Sequence, residues 1–246
     1  AMEYPTLFTG GTGWLVPASS GEPGALVLHE LAHQWFQGIV ATDEVSEAHL
    51  DEGLVSWISA RAETRLLGTP SAVLEAFGVP VPLRALKRPL PEAEAQDALD
   101  QAAFSRSDPT LRESWRALDD AAVRANTYSR PALLLESVAR TTGEKPFLAA
   151  VKEYVRRFSF RHPSTADFLA VVGEVAGPGA RDLLERGWAS AGAVDYAVTR
   201  AATTRVAPVA GYLGDGPNRT WHAPAEAGKT WESTVVVQRL GEVAWP

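Results

Sequence analysis

Apolar and polar positions follow two different patterns along this chain. Between about residues 25 and 190, good helix formers recur in long stretches such as PALLLESVAR and FLAVVGEVAG, with Gly or Pro between them. Beyond residue 194, VDYAVTR and WESTVVVQRL are rich in β-branched residues with a period of two, and a Gly/Pro/Asn-rich stretch separates them. The pattern predicts a mainly helical body, residues 1–193, and a strand-rich tail, residues 194–246.

Capping residues locate two helices in the first seventy positions. After the break at Pro23-Gly24, the first helix is predicted over residues 25–37 and ends at Gly38, a residue suited to a helix C-terminus. Ser46 is a good N-cap for the second helix, over residues 47–67. The two helices are therefore joined by a short connection.

Similar signals predict three later helices. Asp108-Pro109 has the cap-then-proline pattern that opens a helix, and S-R-P at 129–131 opens another that continues to Gly143. S-x-x-D at 164–167 approximates a capping box. The charged residues 84–107 are expected to form surface loop and short helix.

Composition restricts the classes of protein to which the chain can belong. With 246 residues, of which 46% are hydrophobic, the chain can bury one sizeable core and a small appended unit. The net charge of -7 argues against nucleic acid or an anionic membrane as partner. No apolar run is long enough to span a membrane, so we expect a soluble protein, with the cytoplasm favoured as its location. Because the chain has no Cys, any metal must be held by His and carboxylate ligands.

The motif H-E-L-A-H at residues 29–33 is the first candidate for chemistry. A spacing of four places His29 and His33 on one face of a helix, so both imidazoles can reach one ion. Glu30 lies about 100° around the helix axis, where its carboxylate can act as a base on a metal-bound water. The alternative is a structural pair of half-buried histidines that hydrogen-bond to the backbone.

A hydrolytic zinc site needs a third protein ligand and one position left for water. Glu52 follows His33 after eighteen intervening residues, a length that lets the second helix return antiparallel to the first. Its neighbour Asp51 has the same chemistry but is expected to point elsewhere on the helix. His49 is another possible ligand, although a supporting or cleft-lining position suits it better.

The chain contains HELAHQW and then, after eighteen residues that follow the second histidine, the glutamate of LDEG. This combination resembles the gluzincin metallopeptidases of the aminopeptidase N type. The resemblance covers about residues 1–190 and implies a thermolysin-like zincin catalytic domain, α+β in class but predominantly helical. It also implies one Zn²⁺ per chain, held by His29, His33 and Glu52, with Glu30 as the catalytic base.

Two further segments resemble motifs of that family. A-M-E-Y-P at residues 1–5 is similar to its G-A-M-E-N-P segment, which implies that Glu3 binds the free α-amine of the substrate, although Tyr4 replaces the Asn. The residues from Tyr128 onwards, Y-S-R-P, match the family's Y-x-K-G loosely. They imply that Tyr128 donates a hydrogen bond to the developing oxyanion.

The resemblance implies a metalloaminopeptidase that releases N-terminal residues from peptides with a free N-terminus. Two alternatives stay open, namely a zinc endopeptidase with the same metal centre and a non-catalytic scaffold that retains the fold. A β-rich domain precedes this segment in the family, so we expect the chain to contact such a domain of the same protein. The tail, residues 194–246, resembles the first strands of the β-sandwich that follows in many members.

Overall fold

The computed structural model describes residues 1–11, 22–66, 73–76, 79–82, 108–117, 119–206, 210–223 and 231–244, with the side chains of residues 22–23 and 73–82 excepted. The chain divides into two compact units, Ala1–Ala193 and Val194–Ala244. The prediction of a mainly helical α+β chain with small sheets is confirmed by the helices and strands of the described residues. The predicted loop at residues 84–107 lies outside these residues.

Helices account for most of the described residues of the first unit. Its α-helices are α1 Glu22–Ala32, α2 Ala48–Leu66, α3 Asp120–Arg124, α4 Arg130–Thr142, α5 Glu144–Phe158, α6 Thr165–Val175 and α7 Pro178–Ala189. Its strands form two antiparallel hairpins, β1 Met2–Tyr4 with β2 Leu7–Thr9 and β3 Val73–Ala76 with β4 Val79–Pro82. Large side chains that are almost fully buried come from α2 and from α4 to α7: Trp57, Leu135, Phe147, Phe168 and Trp188. No helix in the described ranges is both long and apolar enough to cross a membrane.

Helix α1 differs from the prediction at both ends. It begins at Glu22 rather than at residue 25, because a proline is tolerated in the first turn, where its missing N–H would have no helical partner. Regular α-helix ends at Ala32, but the backbone N–H of His33 still donates to the carbonyl of His29 at 3.3 Å. The two histidines therefore remain one turn apart, as the spacing predicts.

The chain leaves α1 through Gln37 and not through the expected glycine cap. Gln37 has the left-handed backbone, with a φ of 85°. Gly38 serves another purpose, since a Cβ at this position would lie 2.6 Å from the carbonyl oxygen of Gln34. The glycine provides space for a tight turn, and its neighbour supplies the unusual dihedral angle.

Helix α2 lies within one residue of its predicted bounds at each end, and one glycine sets how closely it packs against α4. A Cβ on Gly53 would lie 2.6 Å from Cβ of Pro131, so any larger residue here would push the two helices apart. Because Glu52 precedes Gly53, this close approach brings the Glu52 side chain next to the segment that carries Tyr128.

The helix predicted to open at Asp108-Pro109 is absent from the described residues 108–117, which form turns and a short 3₁₀ segment, Ser114–Arg116. Asp108 is fully buried, its side chain pairs with Arg112 at 2.5 Å, and its carbonyl accepts a hydrogen bond from Arg130. The bond from Arg130 is a tertiary contact, and it overrides the local capping signal. The helix begins later, at α3, where the Asp119 side chain accepts from the backbone N–H of Ala122.

Ser129 is not a helix cap, because the chain is already helical when it reaches this residue. A π-helical segment, Ala125–Ser129, joins α3 to α4 and contains Tyr128. Pro131 has no N–H to donate and its ring would collide with the preceding turn of a regular α-helix, so the wider π turn accommodates it. The predicted end at Gly143 is confirmed, with a φ of 108°, and so is the capping box of Ser164 and Asp167.

The described residues of the second unit include two antiparallel strand pairs. β5 Tyr196–Arg205 pairs with β8 Trp231–Arg239, and the register shifts between Val198 and Arg200. β6 Gly211–Leu213 pairs with β7 Thr220–His222. That these strands begin a β-sandwich stays a prediction.

Candidate metal centre

The structure brings together the three residues that the sequence predicts as metal ligands. Nε2 of His29 lies 3.1 Å from Oε2 of Glu52, and Nε2 of His33 lies 3.4 Å from the same oxygen. The two imidazole rings meet edge to face, with their centroids 4.9 Å apart. One donor atom from each of the three side chains lies within 4.8 Å of the others, so the three can bind a single ion.

The three ligands differ in their exposure to solvent. The side chain of His33 is 1% exposed, whereas those of His29 and Glu52 are 21% and 20% exposed. The centre is therefore closed on the side of His33 and open on the side of the other two residues. As far as the described residues show, the open side is the one from which a ligand can approach.

Asp51 supports His33 from behind, a role that sequence reasoning missed. Its Oδ1 lies 2.9 Å from Nδ1 of His33, and both side chains are only 1% exposed. A carboxylate at Nδ1 fixes the ring tautomer and leaves Nε2 free to bind a metal. Asp51 points away from the predicted metal position, as expected, and its carboxylate contacts Nδ1 of His33. Its place immediately before the third ligand is the signal that could have identified it.

The charge states of the centre follow from these contacts. Burial opposes the charged form of His33, but the hydrogen bonds with Asp51 and Glu52 outweigh it and raise the His33 pKa to about 10. Burial also opposes ionisation of Glu52, yet its bonds with both histidines and with Tyr128 lower the Glu52 pKa to about 2. Glu52 is therefore a carboxylate at any physiological pH.

Tyr128 lies beside the ligands, at the end of the π-helical segment. Its hydroxyl donates to Oε1 of Glu52 at 2.8 Å, and its ring stacks near His29 with centroids 6.2 Å apart. Burial and the charge of Glu52 raise the pKa of the Tyr128 phenol well above its usual range, so the group stays a neutral donor. A cavity of about 630 Å³ next to it is lined by Asp120, Val123, Arg124, Tyr128 and Ser129.

Glu30 is buried beside the two histidines. The residue is 4% exposed, and its Oε2 has no hydrogen-bond partner among the described residues. Burial raises the pKa of Glu30, although the neighbouring histidines partly oppose the shift. A buried carboxylate oxygen without a partner is unfavourable for folding, which suggests a functional reason for its position.

Glu3 reaches the same centre from β1. A carboxylate oxygen of Glu3, a ring nitrogen of His33 and a carboxylate oxygen of Asp51 all lie within 4.8 Å of one another. In the hairpin, Glu3 is the partner of Phe8. The structure therefore places four acidic residues, Glu3, Glu30, Asp51 and Glu52, around one pair of histidines.

His49 does not line the cleft, and the expectation of a supporting or cleft-lining position is wrong. It is 4% exposed, its Nε2 lies 3.1 Å from Oγ1 of Thr165, and its ring meets Trp188 edge to face. Burial lowers the His49 pKa to about 4, so the ring is neutral. His49 is part of the hydrophobic core.

Similar proteins have the same type of domain. Residues 19–188 match the Peptidase family M1 domain. The chain is 25% identical over 159 residues to aminopeptidase M1-B of Oryza sativa subsp. japonica, an alignment that covers 64% of this chain and 16% of the relative. It is 24% identical over 229 residues to glutamyl aminopeptidase of Sus scrofa, covering 89% of this chain and 22% of the relative.

Among solved structures, the chain is similar to the M1 zinc metallopeptidase of Deinococcus radiodurans. The identity is 24% and the TM-score 0.48, over 71% of this chain and 34% of that one.

The extent of the family match, and not the overall identity, establishes the relationship. The match covers more than half of the chain and includes His29, His33 and Glu52, the residues of the candidate metal centre. The chain spans only about a sixth of the length of relatives such as the rice aminopeptidase. Within that span, the resemblance to the aminopeptidase N type of gluzincin is confirmed, and the chain belongs to peptidase family M1.

Proposed function

We propose that this chain contains the catalytic centre of a zinc-dependent aminopeptidase, which hydrolyses the first peptide bond of substrates with a free N-terminus. The proposal depends above all on one observation, the convergence of His29, His33 and Glu52 beside the buried, unpartnered oxygen of Glu30. The names of the relatives, aminopeptidases from a plant and a mammal, support the same reaction.

The residues present fit a zinc ion. Two imidazoles and one carboxylate form a donor set typical of hydrolytic zinc sites, and the exposed side of His29 and Glu52 leaves room for water and substrate. When bound, zinc supplies Lewis acidity, which makes a water molecule more acidic and polarises the scissile carbonyl. The ligand set carries one negative charge when the imidazoles are neutral, which leaves the ion strongly electrophilic.

Glu30 acts as the general base and then as the general acid. Its raised pKa suits a group that must accept a proton from water and later donate that proton to the leaving amine. The lack of a partner for its Oε2 leaves one oxygen available for this transfer. A carboxylate already bound by several donors would accept the proton less readily.

Tyr128 stabilises the negative charge that develops on the carbonyl oxygen. In the structure its hydroxyl donates to Glu52, so it must exchange this bond for one with the substrate as the reaction proceeds. Because the phenol stays protonated, it can donate throughout the physiological pH range. This exchange favours the transition state over the bound substrate.

Glu3 holds the ammonium group of the substrate. An ion pair with Glu3, whose carboxylate lies near His33 and Asp51, would hold the substrate amine close to the centre. We expect this anchor to leave room for one residue between the amine and the scissile bond. Only one residue would therefore be released in each cycle. The same contact excludes peptides whose N-terminus is acetylated.

Cleavage of matched peptides tests the proposal. Zinc-loaded protein should cleave a free-amine peptide and leave its N-acetylated form almost untouched, while Glu30→Gln should bind zinc equally but lose turnover. Efficient cleavage of the acetylated peptide would favour an endopeptidase. Activity that survives Glu30→Gln unchanged would indicate a contaminating enzyme and a non-catalytic scaffold.

We also propose that residues 1–193 form the catalytic domain and that residues 194–246 begin a following β-sandwich. The helical unit would contact an N-terminal β-rich domain of a longer protein. An apolar groove of about 590 Å³ along α1, α2 and α5 supports this, since Leu31 and Trp35 in it are 42% and 49% exposed. The cytoplasmic location expected from the sequence stays a prediction.

A further inference from the structure

The turn that follows Glu3 is strained. β1 and β2 are joined by two residues, Pro5 and Thr6, because Tyr4 pairs directly with Leu7. Thr6 has a φ of 65°, in the left-handed region, which is unfavourable for a β-branched residue. A hairpin with only three residue pairs is also marginal by itself in water. An external contact is therefore needed to hold Glu3 in place.

Gln34 supplies that contact through both ends of its side-chain amide. Its Oε1 accepts a hydrogen bond from the backbone N–H of Thr6 at 2.8 Å, and its Nε2 donates to the carbonyl of Tyr4 at 3.1 Å. The first bond fixes the strained residue, and the second fixes the residue next to Glu3. An acceptor and a donor are both required, and among side chains of this length only glutamine has the two at its tip.

We propose that Gln34 is a positioning residue for substrate recognition, one that sets the distance between the amine anchor Glu3 and the metal ligands. Gln34 directly follows His33, so one short segment carries both a ligand and the contact that holds the hairpin. Any shift of Gln34 moves Glu3 relative to the centre. This inference rests on the proposed function of Glu3, and it adds a residue that acts through the backbone of Tyr4 and Thr6.

Backbone amide exchange tests the contact without any turnover. In Gln34→Ala, the amide protons of residues 2–9 should exchange about tenfold faster, the effect of losing two exposed hydrogen bonds, while those of α2 should not change. Gln37→Asn is the matched control, since Gln37 bonds to Glu44 instead and its left-handed backbone suits Asn. Unchanged exchange in the hairpin of Gln34→Ala would overturn the proposal.

Binding of a small amine tests the consequence for recognition. Zinc-loaded wild-type protein should bind leucinamide better than N-acetyl-leucinamide, and Gln34→Ala should weaken leucinamide binding about tenfold. Gln34→Glu keeps the acceptor but not the donor. Its affinity for leucinamide should therefore lie between those of the wild type and Gln34→Ala. In a Glu3→Gln background the Gln34→Ala change should have no further effect, because the two residues act as a unit.

The outcomes separate this inference from the proposed function. The role of Gln34 would be overturned if Gln34→Ala lowered the affinity for leucinamide equally in the wild-type and Glu3→Gln backgrounds. It would also be overturned if the wild type showed no preference for the free amine. If binding follows the expected pattern but no peptide is cleaved, the positioning role stands and the aminopeptidase activity fails. Unchanged zinc content and melting temperature in Gln34→Ala confirm that the fold and the centre are intact.

Discussion

Helix α2 holds buried polar groups in two contrasting surroundings. Asp51 and Glu52 meet His33, where burial opposes the charged imidazole but the contacts with the two carboxylates raise the His33 pKa to about 10. His49, on the same helix, packs against Trp188, and burial lowers its pKa to about 4. Both histidines are almost inaccessible to solvent. Burial alone therefore does not distinguish a site from a core, whereas the presence of carboxylate partners does.

The comparison predicts that changes at the candidate metal centre alter turnover more than stability. Glu30→Gln should produce the largest effect, a loss of about 10³-fold in kcat, because the base is removed while the shape is kept. Its free energy of unfolding should not fall, since a neutral amide replaces a buried, unpartnered carboxylate. Steady-state kinetics and urea unfolding measure the two quantities. A parallel loss of both would place Glu30 among the structural residues.

Tyr128→Phe should lower kcat about 10²-fold with little change in KM, because the hydroxyl meets the substrate oxygen mainly in the transition state. The hydrogen bond to Glu52 is also lost, so zinc content must be measured in the same samples. Tyr154→Phe is the matched control, a buried core tyrosine of the same helical unit. Equal losses of kcat in both variants would contradict the oxyanion role.

Asp51→Asn should weaken zinc binding by about 10- to 100-fold, because the amide holds the His33 ring less firmly and makes it a weaker ligand. Competition with a chelator of known affinity measures the change. His49→Gln, two residues earlier on the same helix, should leave zinc affinity unaltered. If His49→Gln weakened zinc binding as much as Asp51→Asn, the distinction between the carboxylate that contacts His33 and the core histidine would be lost.

The smallest effect concerns how the stability of the fold depends on pH through His49. The folded pKa of His49 lies below its ordinary value of 6.5, so its neutral form stabilises the fold fully above pH 6.5. That contribution is lost as the pH falls from 6.5 toward 4. Between about pH 7.5 and about pH 5, wild-type protein should lose about 2 kcal/mol more free energy of unfolding than His49→Gln. Identical pH profiles would show that His49 is not held neutral.

The convergence of His29, His33 and Glu52 was largely predictable from the sequence because the features that produce it are local. His29 and His33 lie one turn apart by helix geometry, and the connection to Glu52 needs only one reversal of the chain. Asp51 escaped prediction because the nitrogen that it contacts depends on how α1 and α2 pack. The role of Gln34 depends on the position of a hairpin about thirty residues away. Pairwise contacts of this kind leave no periodic signal in a sequence.

The errors in the fold have a similar origin. The signals at Asp108-Pro109 and Ser129 are valid local preferences, but the surrounding chain overrides them. Arg130, from a later helix, donates to the carbonyl of Asp108, and Ser129 lies inside a helical run that has already begun at α3. The predicted capping box of Ser164 and Asp167 is confirmed, because both of its hydrogen bonds are made within one turn. The reliable capping signals are those whose hydrogen bonds are all made within one turn of the helix.

The direction in which the Tyr128 side chain points depends on the number of residues in the π-helical segment. Five residues, Ala125–Ser129, occupy a wider turn than regular helix allows, and Pro131 fixes where that turn must close. Deletion of a single residue here would rotate Tyr128 by about 100° about the helix axis, away from Glu52, without changing any catalytic residue. Insertions and deletions in this stretch could therefore abolish activity in proteins whose motifs all remain intact.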